Sequence, residues 1–528
     1  MTDQPPPLHL EPLRQRAAAT PERTALVDRT KWASEEDDRW TYRALDAAVE
    51  EVAVRLDDRL PDNPPSRRIG LAVSPGTPFV ATLFAALRLG WTVAPLDPGL
   101  PDRELATRVD RLDPALVVCD RDSEASCLAT DRPVASVGEP HDGTVPRLLP
   151  RVIERTHHSA GGQHSVTIGG NESTSGGDRA ALILFTSGTT GRPKAVQLTL
   201  SNLFASAVGS AFRLCVDPDG RWLGCLPVHH MGGLAPVFRS VWYGTTLVLS
   251  GSFDADGTRE EIRSQSITGV SLVPTQLKRL LDAGWTPSEH LRSVLLGGAP
   301  AGESLLSRAL DAGVPVYPTY GLTETASQVA TARPADVREH PDIVGQPLLW
   351  TQVTILDDGE PVGSGERGEV VVDGPTVTPG YLDDEATAAA FGEYGLHTGD
   401  LGVVDADSRL RILGRIDDVI NTGGELVAPA EVVAVLESHP HIAEATVVSL
   451  DDPEWGERVA ALVVLADAED SSDNPVNVET IREYSRGRLS DYKLPKTVVT
   501  TERLPRTDSG TIDREAVATE IERRKNRS

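Results

Sequence analysis

The chain has 528 residues, of which 51 are lysine or arginine and 78 aspartate or glutamate, giving a formal charge of −27. A surface this negative repels nucleic acid and anionic lipid, so neither is an expected partner. Four cysteines (Cys119, Cys127, Cys215 and Cys225) lack zinc or disulfide spacing, no apolar run nears a membrane span, and residues 1–7 show no signal-like pattern; a cytoplasmic protein with buried thiols and no membrane insertion is expected.

In chain order, residues 42–56 place Leu45, Val49, Val52 and Leu56 on one face at helical spacing, with Thr41 available as a cap. Gly70-Leu71-Ala72-Val73 reads as a buried strand, residues 79–90 as a helix stopped by Gly90, and residues 91–96 as a returning strand. Such alternation predicts parallel sheets covered by helices. Residues 155–178 are rich in Gly, Ser and His, cannot bury a core, and are expected to form a flexible surface insertion.

A strand at Ala181-Leu182-Ile183-Leu184 then runs into Phe185-Thr186-Ser187-Gly188-Thr189-Thr190-Gly191-Arg192-Pro193-Lys194. Gly188 and Gly191 let backbone N–H groups approach an anion, Thr186, Ser187, Thr189 and Thr190 add donors, and Lys194 adds a charge, which together describe a phosphate-holding loop. Its spacing is not that of a Walker A loop, because Lys194 stands three residues beyond Gly191 with Pro193 before it.

More glycine-bearing polar strings follow: Leu296-Gly297-Gly298-Ala299-Pro300, Tyr317-Pro318-Thr319-Tyr320-Gly321-Leu322-Thr323-Glu324-Thr325, His397-Thr398-Gly399-Asp400, Gly414-Arg415-Ile416-Asp417-Asp418, Gly423-Gly424-Glu425, and Leu504-Pro505-Arg506-Thr507-Asp508-Ser509-Gly510-Thr511. In the second of them, Tyr320 can stack on a purine, Thr323 can donate to a phosphate, and Glu324 can hold a hard cation.

This ordered set resembles the adenylate-forming (AMP-binding) superfamily, which includes acyl-CoA synthetases, luciferases and nonribosomal peptide adenylation domains. The resemblance runs from roughly residue 12 to residue 516. It implies an α/β fold: a large N-terminal domain (residues 1–416) of two α/β subdomains plus a small β-rich lobe, then a mobile α+β C-terminal domain (residues 417–528). It also implies ATP, Mg2+ and coenzyme A acting on a small-molecule carboxylic acid. The nucleotide set it implies is Thr186, Ser187, Gly188, Thr189, Thr190, Gly191, Lys194, Gly298, Ala299, Pro300, Tyr320, Gly321, Thr323, Asp400 and Arg415. Glu324 carries the metal, Lys194, Thr323, Glu324, Arg415 and the position of Thr511 belong to the catalytic set, Asp417 is the hinge, and Gly423, Gly424 and Glu425 form the thiolation loop.

One station departs from the pattern. Thr511 occupies the position where the family has a lysine that stabilises charge during adenylation. Lys493, Lys496 and Arg514 are the alternative cations, and the sequence does not choose among them.

Three segments are similar to one branch, the 2-succinylbenzoate–CoA ligases of menaquinone synthesis: residues 226–234 with His230, residues 273–277 with Thr275, and the pair Ser327-Gln328 after Glu324. Thr275, Ser327, Gln328 and His230, with Gly297, are the implied acyl-substrate set. Polar readout of this kind suits an aryl dicarboxylate. The rival readings are a CoA ligase for another aryl or aliphatic acid and a nucleotide-binding homologue without turnover; a homo-oligomer is compatible with the sequence. The chain has only six lysines, at 31, 194, 278, 493, 496 and 525. An acidic, lysine-poor surface resembles proteins of salt-loving cells, where ions screen self-repulsion.

Overall fold

A computed structural model describes residues 11–30, 38–61, 63–64, 66–149, 179–186, 193–466, 478–486, 488–506 and 512–525. The insertion expected over residues 155–178 lies outside the described residues.

The amphipathic segment after Thr41 forms the helix Tyr42–Asp57, and the Thr41 hydroxyl accepts a hydrogen bond from the Ala44 N–H as its cap. Leu45, Val49, Val52 and Leu56 are all buried, as their spacing predicts. They face the helix Thr77–Arg88, which is apolar on every side because it is enclosed on every side. The strands Arg68–Ala72, Thr92–Pro95, Leu116–Cys119 and Val134–Ser136 pair in parallel, and Thr92–Pro95 continues in parallel onto Ala180–Thr186. Antiparallel Lys194–Thr199 and Gly380–Tyr381 complete this seven-stranded sheet.

A second sheet of nine strands has the order Gln346–Pro347, Ala330–Thr331, Val316–Tyr320, Ser293–Leu296, Gly269–Leu272, Arg221–Gly224, Thr246–Ser250, Thr24–Arg29 and Asp38–Thr41. One apolar core joins the two sheets. Leu71 and Leu182 of the first and Leu247 and Leu249 of the second close on helices Tyr42–Asp57, Thr77–Arg88, Leu200–Leu214 and Met231–Tyr243 between them. Further helices cover the outer faces, so the layers run helix, sheet, helix, sheet, helix.

The third part is a β-rich lobe built on Gln352–Asp357, Arg367–Asp373, Gly395–Val404 and Leu410–Arg415. A short 3-10 turn, Ile416–Asp418, leads into the C-terminal domain. There Ile442–Asp452 and Gly456–Leu465 form the long antiparallel pair, flanked by Ile420–Thr422 and Thr497–Thr501. Helices Pro429–Glu437 and Val478–Ser485 pack on one face of this sheet, and Arg514–Lys525 packs on the other. The α/β architecture with two subdomains, a β-rich lobe and a separate α+β domain is the one the sequence implies.

Three cysteines are buried, but Cys215 is exposed. It caps Leu200–Leu214 in the left-handed region at φ 51°, where the chain turns out toward solvent, and this corrects the expectation of four buried thiols.

Phe84 and Phe238 meet edge to face at 5.6 Å between ring centroids and connect helices that belong to different subdomains. Phe84→Ala empties that contact and is expected to cost about 3–5 kcal/mol, lowering the urea midpoint of the N-terminal domain without changing the C-terminal transition.

Candidate active site

A cleft of about 3460 Å³ opens where the two subdomains, the lobe and the C-terminal domain meet. Thr186 and Lys194 stand opposite each other on the paired strands Ala180–Thr186 and Lys194–Thr199, and both line the cleft. The phosphate-loop candidates Ser187, Gly188, Thr189, Thr190 and Gly191 lie outside the described residues. A returning strand follows this loop, whereas a helix follows a Walker loop.

The strand Ser293–Leu296 ends at Gly297 and Gly298, which line the cleft; Gly298 adopts φ +81°. Ala299 and Pro300 are exposed and do not reach its wall. The strand Val316–Tyr320 delivers Gly321, Thr323 and Glu324 to the cleft, the last two within the 3-10 turn Thr323–Thr325. Here the backbone is tight. A Cβ on Gly321 would stand 1.7 Å from the Ser327 carbonyl oxygen, and Ser327 holds φ +119°, a value that favours glycine.

One Glu324 oxygen accepts the Tyr381 hydroxyl at 2.9 Å. No basic side chain among the described residues makes an ion pair with Glu324, and its carboxyl group lines the cleft as an oxygen donor. That suits Mg2+, a hard cation held by one or two carboxylates together with substrate phosphates. The described residues contain no cluster of three His, Cys, Asp or Glu able to hold a metal on its own.

Tyr320 is turned toward the lobe, its hydroxyl donating to Asp400 at 2.5 Å, and neither residue reaches the cleft wall. Burial raises both the Tyr320 phenol and the Asp400 carboxyl above their ordinary values. Arg415 binds the other Asp400 oxygen at 3.2 Å and the Thr398 carbonyl at 3.1 Å, and it lines the cleft beside Asp417.

On the acyl side, His230 precedes the helix Met231–Tyr243 and joins Thr275, Ser327 and Gln328 in the wall. The rings of His229 and His230 stand 4.5 Å apart, and His229 lies 3.7 Å from Asp97. Burial pushes the His229 ring down to about 4 and lowers His230 in the same direction, so both are neutral at pH 7.

Two wall features escaped the sequence reading. Arg239 is 7% exposed and donates to the Ser206 hydroxyl at 3.3 Å, but no carboxylate among the described residues pairs with it. It is the single charged residue of an otherwise apolar helix, and that signal was present in the sequence. Nearby, Gln328 donates to Thr331 at 2.7 Å while its side-chain oxygen is buried without a partner. The second missed feature is Tyr381, which no local pattern marks.

The C-terminal domain presents residues 501–506, Asp513 and Ala516 to the cleft. The thiolation candidates Gly423, Gly424 and Glu425 are exposed away from it, with Gly423 packed beside Trp455. Thr511 lies outside the described residues. None of its alternatives lines the cleft: Lys493 pairs with Glu431 at 2.5 Å, Lys496 sits 4.5 Å over the Trp455 ring, and Arg514 pairs with Asp418 at 2.9 Å.

Two family models match this chain. Residues 13–382 match the AMP-binding enzyme model, and residues 431–511 match the AMP-binding enzyme C-terminal domain. The chain belongs to the AMP-binding enzyme family. Among curated relatives, this AMP-binding enzyme is 34% identical over 501 residues to a 2-succinylbenzoate–CoA ligase of Bacillus thuringiensis, covering 94% of this chain and 95% of the relative. It is 36% identical over 507 residues to the ligase of the same name from Bacillus licheniformis, covering 95% and 98%. Its structure is similar to o-succinylbenzoate CoA synthetase of Bacillus subtilis in complex with the acyl-adenylate, with a TM-score of 0.82 at 31% identity and 98% of each chain covered. The same synthetase with ATP and magnesium aligns at a TM-score of 0.80 and 31% identity, covering 96% of this chain and 98% of the other. No helix among the described residues is long and apolar enough to cross a membrane.

The neutral histidine pair generates a pH dependence. The unfolded chain protonates His229 near pH 6.5, whereas the folded chain does so only near 4. The stability contributed by the neutral ring is therefore complete above pH 6.5 and is lost as the pH falls toward 4. His229→Gln should flatten the slope of the urea midpoint against pH in that window.

Proposed function

We propose that this enzyme is an ATP-dependent acid–CoA ligase that converts 2-succinylbenzoate to 2-succinylbenzoyl-CoA in menaquinone synthesis. A substrate carboxylate attacks the α-phosphorus of ATP and pyrophosphate leaves. The thiol of coenzyme A, losing its proton, then attacks the acyl carbonyl of the adenylate, and AMP leaves with the electron pair of the broken C–O bond. Catalysis is positioning and charge stabilisation, since a carboxylate is already ionised at neutral pH and needs no base.

Lys194 meets the phosphates, Thr323 donates to the α-phosphate, and Arg415 contacts nucleotide oxygens. Glu324 would hold Mg2+, and the ion would supply positive charge that offsets the charge of the phosphates. Asp400 lies behind the cleft wall, bound by Tyr320 and Arg415, so its part is to hold Arg415 beside the nucleotide rather than to take the ribose hydroxyls itself.

The observation that carries the substrate assignment is Arg239. A guanidinium removed from water with no carboxylate partner among the described residues is costly, and it becomes paired when the substrate supplies the carboxylate. A substrate with two carboxylates meets this condition, one group reacting and the other binding. Fatty acids do not. The curated relatives carry the name of such a ligase over nearly their whole length. The acidic, lysine-poor surface suits a salt-rich cytoplasm.

The test incubates the enzyme with ATP, Mg2+, CoA and a panel of aryl and aliphatic mono- and dicarboxylic acids across a KCl series, measuring pyrophosphate and thioester. The expected result is turnover of 2-succinylbenzoate above all others, rising with KCl. Arg239→Gln should raise KM for the dicarboxylate by at least about tenfold and leave ATP affinity unchanged. Preference for a monocarboxylic acid would overturn the assignment.

The domain boundary is proposed at Asp417, the pivot on which residues 417–528 turn to bring Gly423, Gly424 and Glu425 to the cleft for the second half-reaction. Asp417→Pro fixes φ near −65° and should preserve pyrophosphate release while abolishing most thioester formation. Equal loss of both would move the pivot elsewhere.

A further inference from the structure

We infer that Tyr381 is the positioning residue that keeps Lys194 and Glu324 apart and each ready for its own ligand, the lysine for phosphate and the glutamate for the divalent cation. The inference rests on the roles given above to those two residues.

Tyr381 touches both. Its hydroxyl donates to Glu324 at 2.9 Å, and the Lys194 ammonium sits 5.2 Å from its ring centroid. The residue is 4% exposed and its backbone is fixed on two sides. It pairs with Val196 on the strand that carries Lys194, its N–H donates to the Thr387 hydroxyl at 2.9 Å, and its carbonyl accepts from the Gln197 side chain at 2.8 Å. The glutamate turn is tied to the same segment, because the Thr378 N–H donates to the Glu324 carbonyl at 2.7 Å. One short strand therefore sets the position of the phosphate lysine, the metal carboxylate and the ring between them.

This arrangement prevents a loss. A lysine and a glutamate free in a partly dehydrated cleft attract each other, and a closed pair would neutralise both before ATP or metal arrived. The aromatic face gives the ammonium a partner that carries no net charge. The hydroxyl holds one carboxylate oxygen and leaves the other for the cation.

The experiment measures the affinity of the full-length enzyme for a fluorescent ATP analogue in EDTA and in saturating Mg2+. The ratio of the two reports the metal's contribution. Tyr381→Phe keeps the spacer and loses the hydroxyl, and is expected to leave affinity in EDTA unchanged while reducing the ratio by about tenfold, the scale of one hydrogen bond to a charged group. Tyr381→Leu removes the spacer too, so affinity in EDTA should fall as well. Adding Glu324→Gln to Tyr381→Leu should restore it, because the lysine then has no competing anion.

A merely structural tyrosine would lower the melting temperature of both variants and leave these affinities unchanged in the folded protein. An unchanged ratio in Tyr381→Phe, or no restoration in the double variant, overturns the inference. Glu324→Gln alone separates this from failure of the underlying assignment: if it leaves the ratio at the wild-type value, Glu324 is not the metal carboxylate, whatever Tyr381 does.

Discussion

The helices buried between the two sheets are the constraint on which the rest of the molecule depends. Leu71, Leu182, Leu247 and Leu249 reach into one shared core from opposite sides, so neither sheet can slide without exposing the helices between them. The strand ends at Thr186, Gly297 and Gly321 consequently line a common cleft. The chemistry is gathered from strand ends far apart in sequence, as expected for sheets covered by helices.

Within that cleft, charge is controlled by what is left unpaired. Much of the surface is laced with ion pairs that carry little net energy, such as Arg263 with Glu260. Glu324 and Arg239 have no oppositely charged partner among the described residues, and both line the cleft. A side chain kept from its natural partner is costly in the free protein and recovers that cost only on binding, which turns isolation into selectivity. Asp400 is the contrast. Tyr320 and Arg415 both bind it, so it is held in place before any ligand arrives.

The C-terminal domain supplies the last wall. Lys278 of the N-terminal domain approaches Glu444 at 3.6 Å, while Arg506 binds the same carboxylate at 3.2 Å and Arg514 pairs with Asp418 within the C-terminal domain itself. Among the described residues, the Lys278–Glu444 pair is the ion pair that crosses the boundary, and it is partly exposed. Residues 501–506 face the cleft in this arrangement while the glycine loop at 423–425 faces away.

The sequence by itself determined the reaction family and much of the fold. Local periodicity is set by the chain's own geometry, so the helix after Thr41 and the parallel strands that follow could be read directly. The glycine-bearing strings were legible for a similar reason, since a tight turn or a close backbone approach restricts the residues allowed, as at Gly321. Partnership is different, because it depends on which distant residues meet. Nothing near Tyr381 indicates that its hydroxyl reaches Glu324 and its ring reaches Lys194, contacts that span 57 and 187 positions along the chain. Arg239 is a charge in an apolar helix that the sequence reading passed over, and only the packing of that helix between two sheets keeps it from carboxylates among the described residues. Ala299 and Pro300 show the converse: they follow two glycines of the cleft wall, but the strand end turns them outward, and adjacency in sequence did not become adjacency in space.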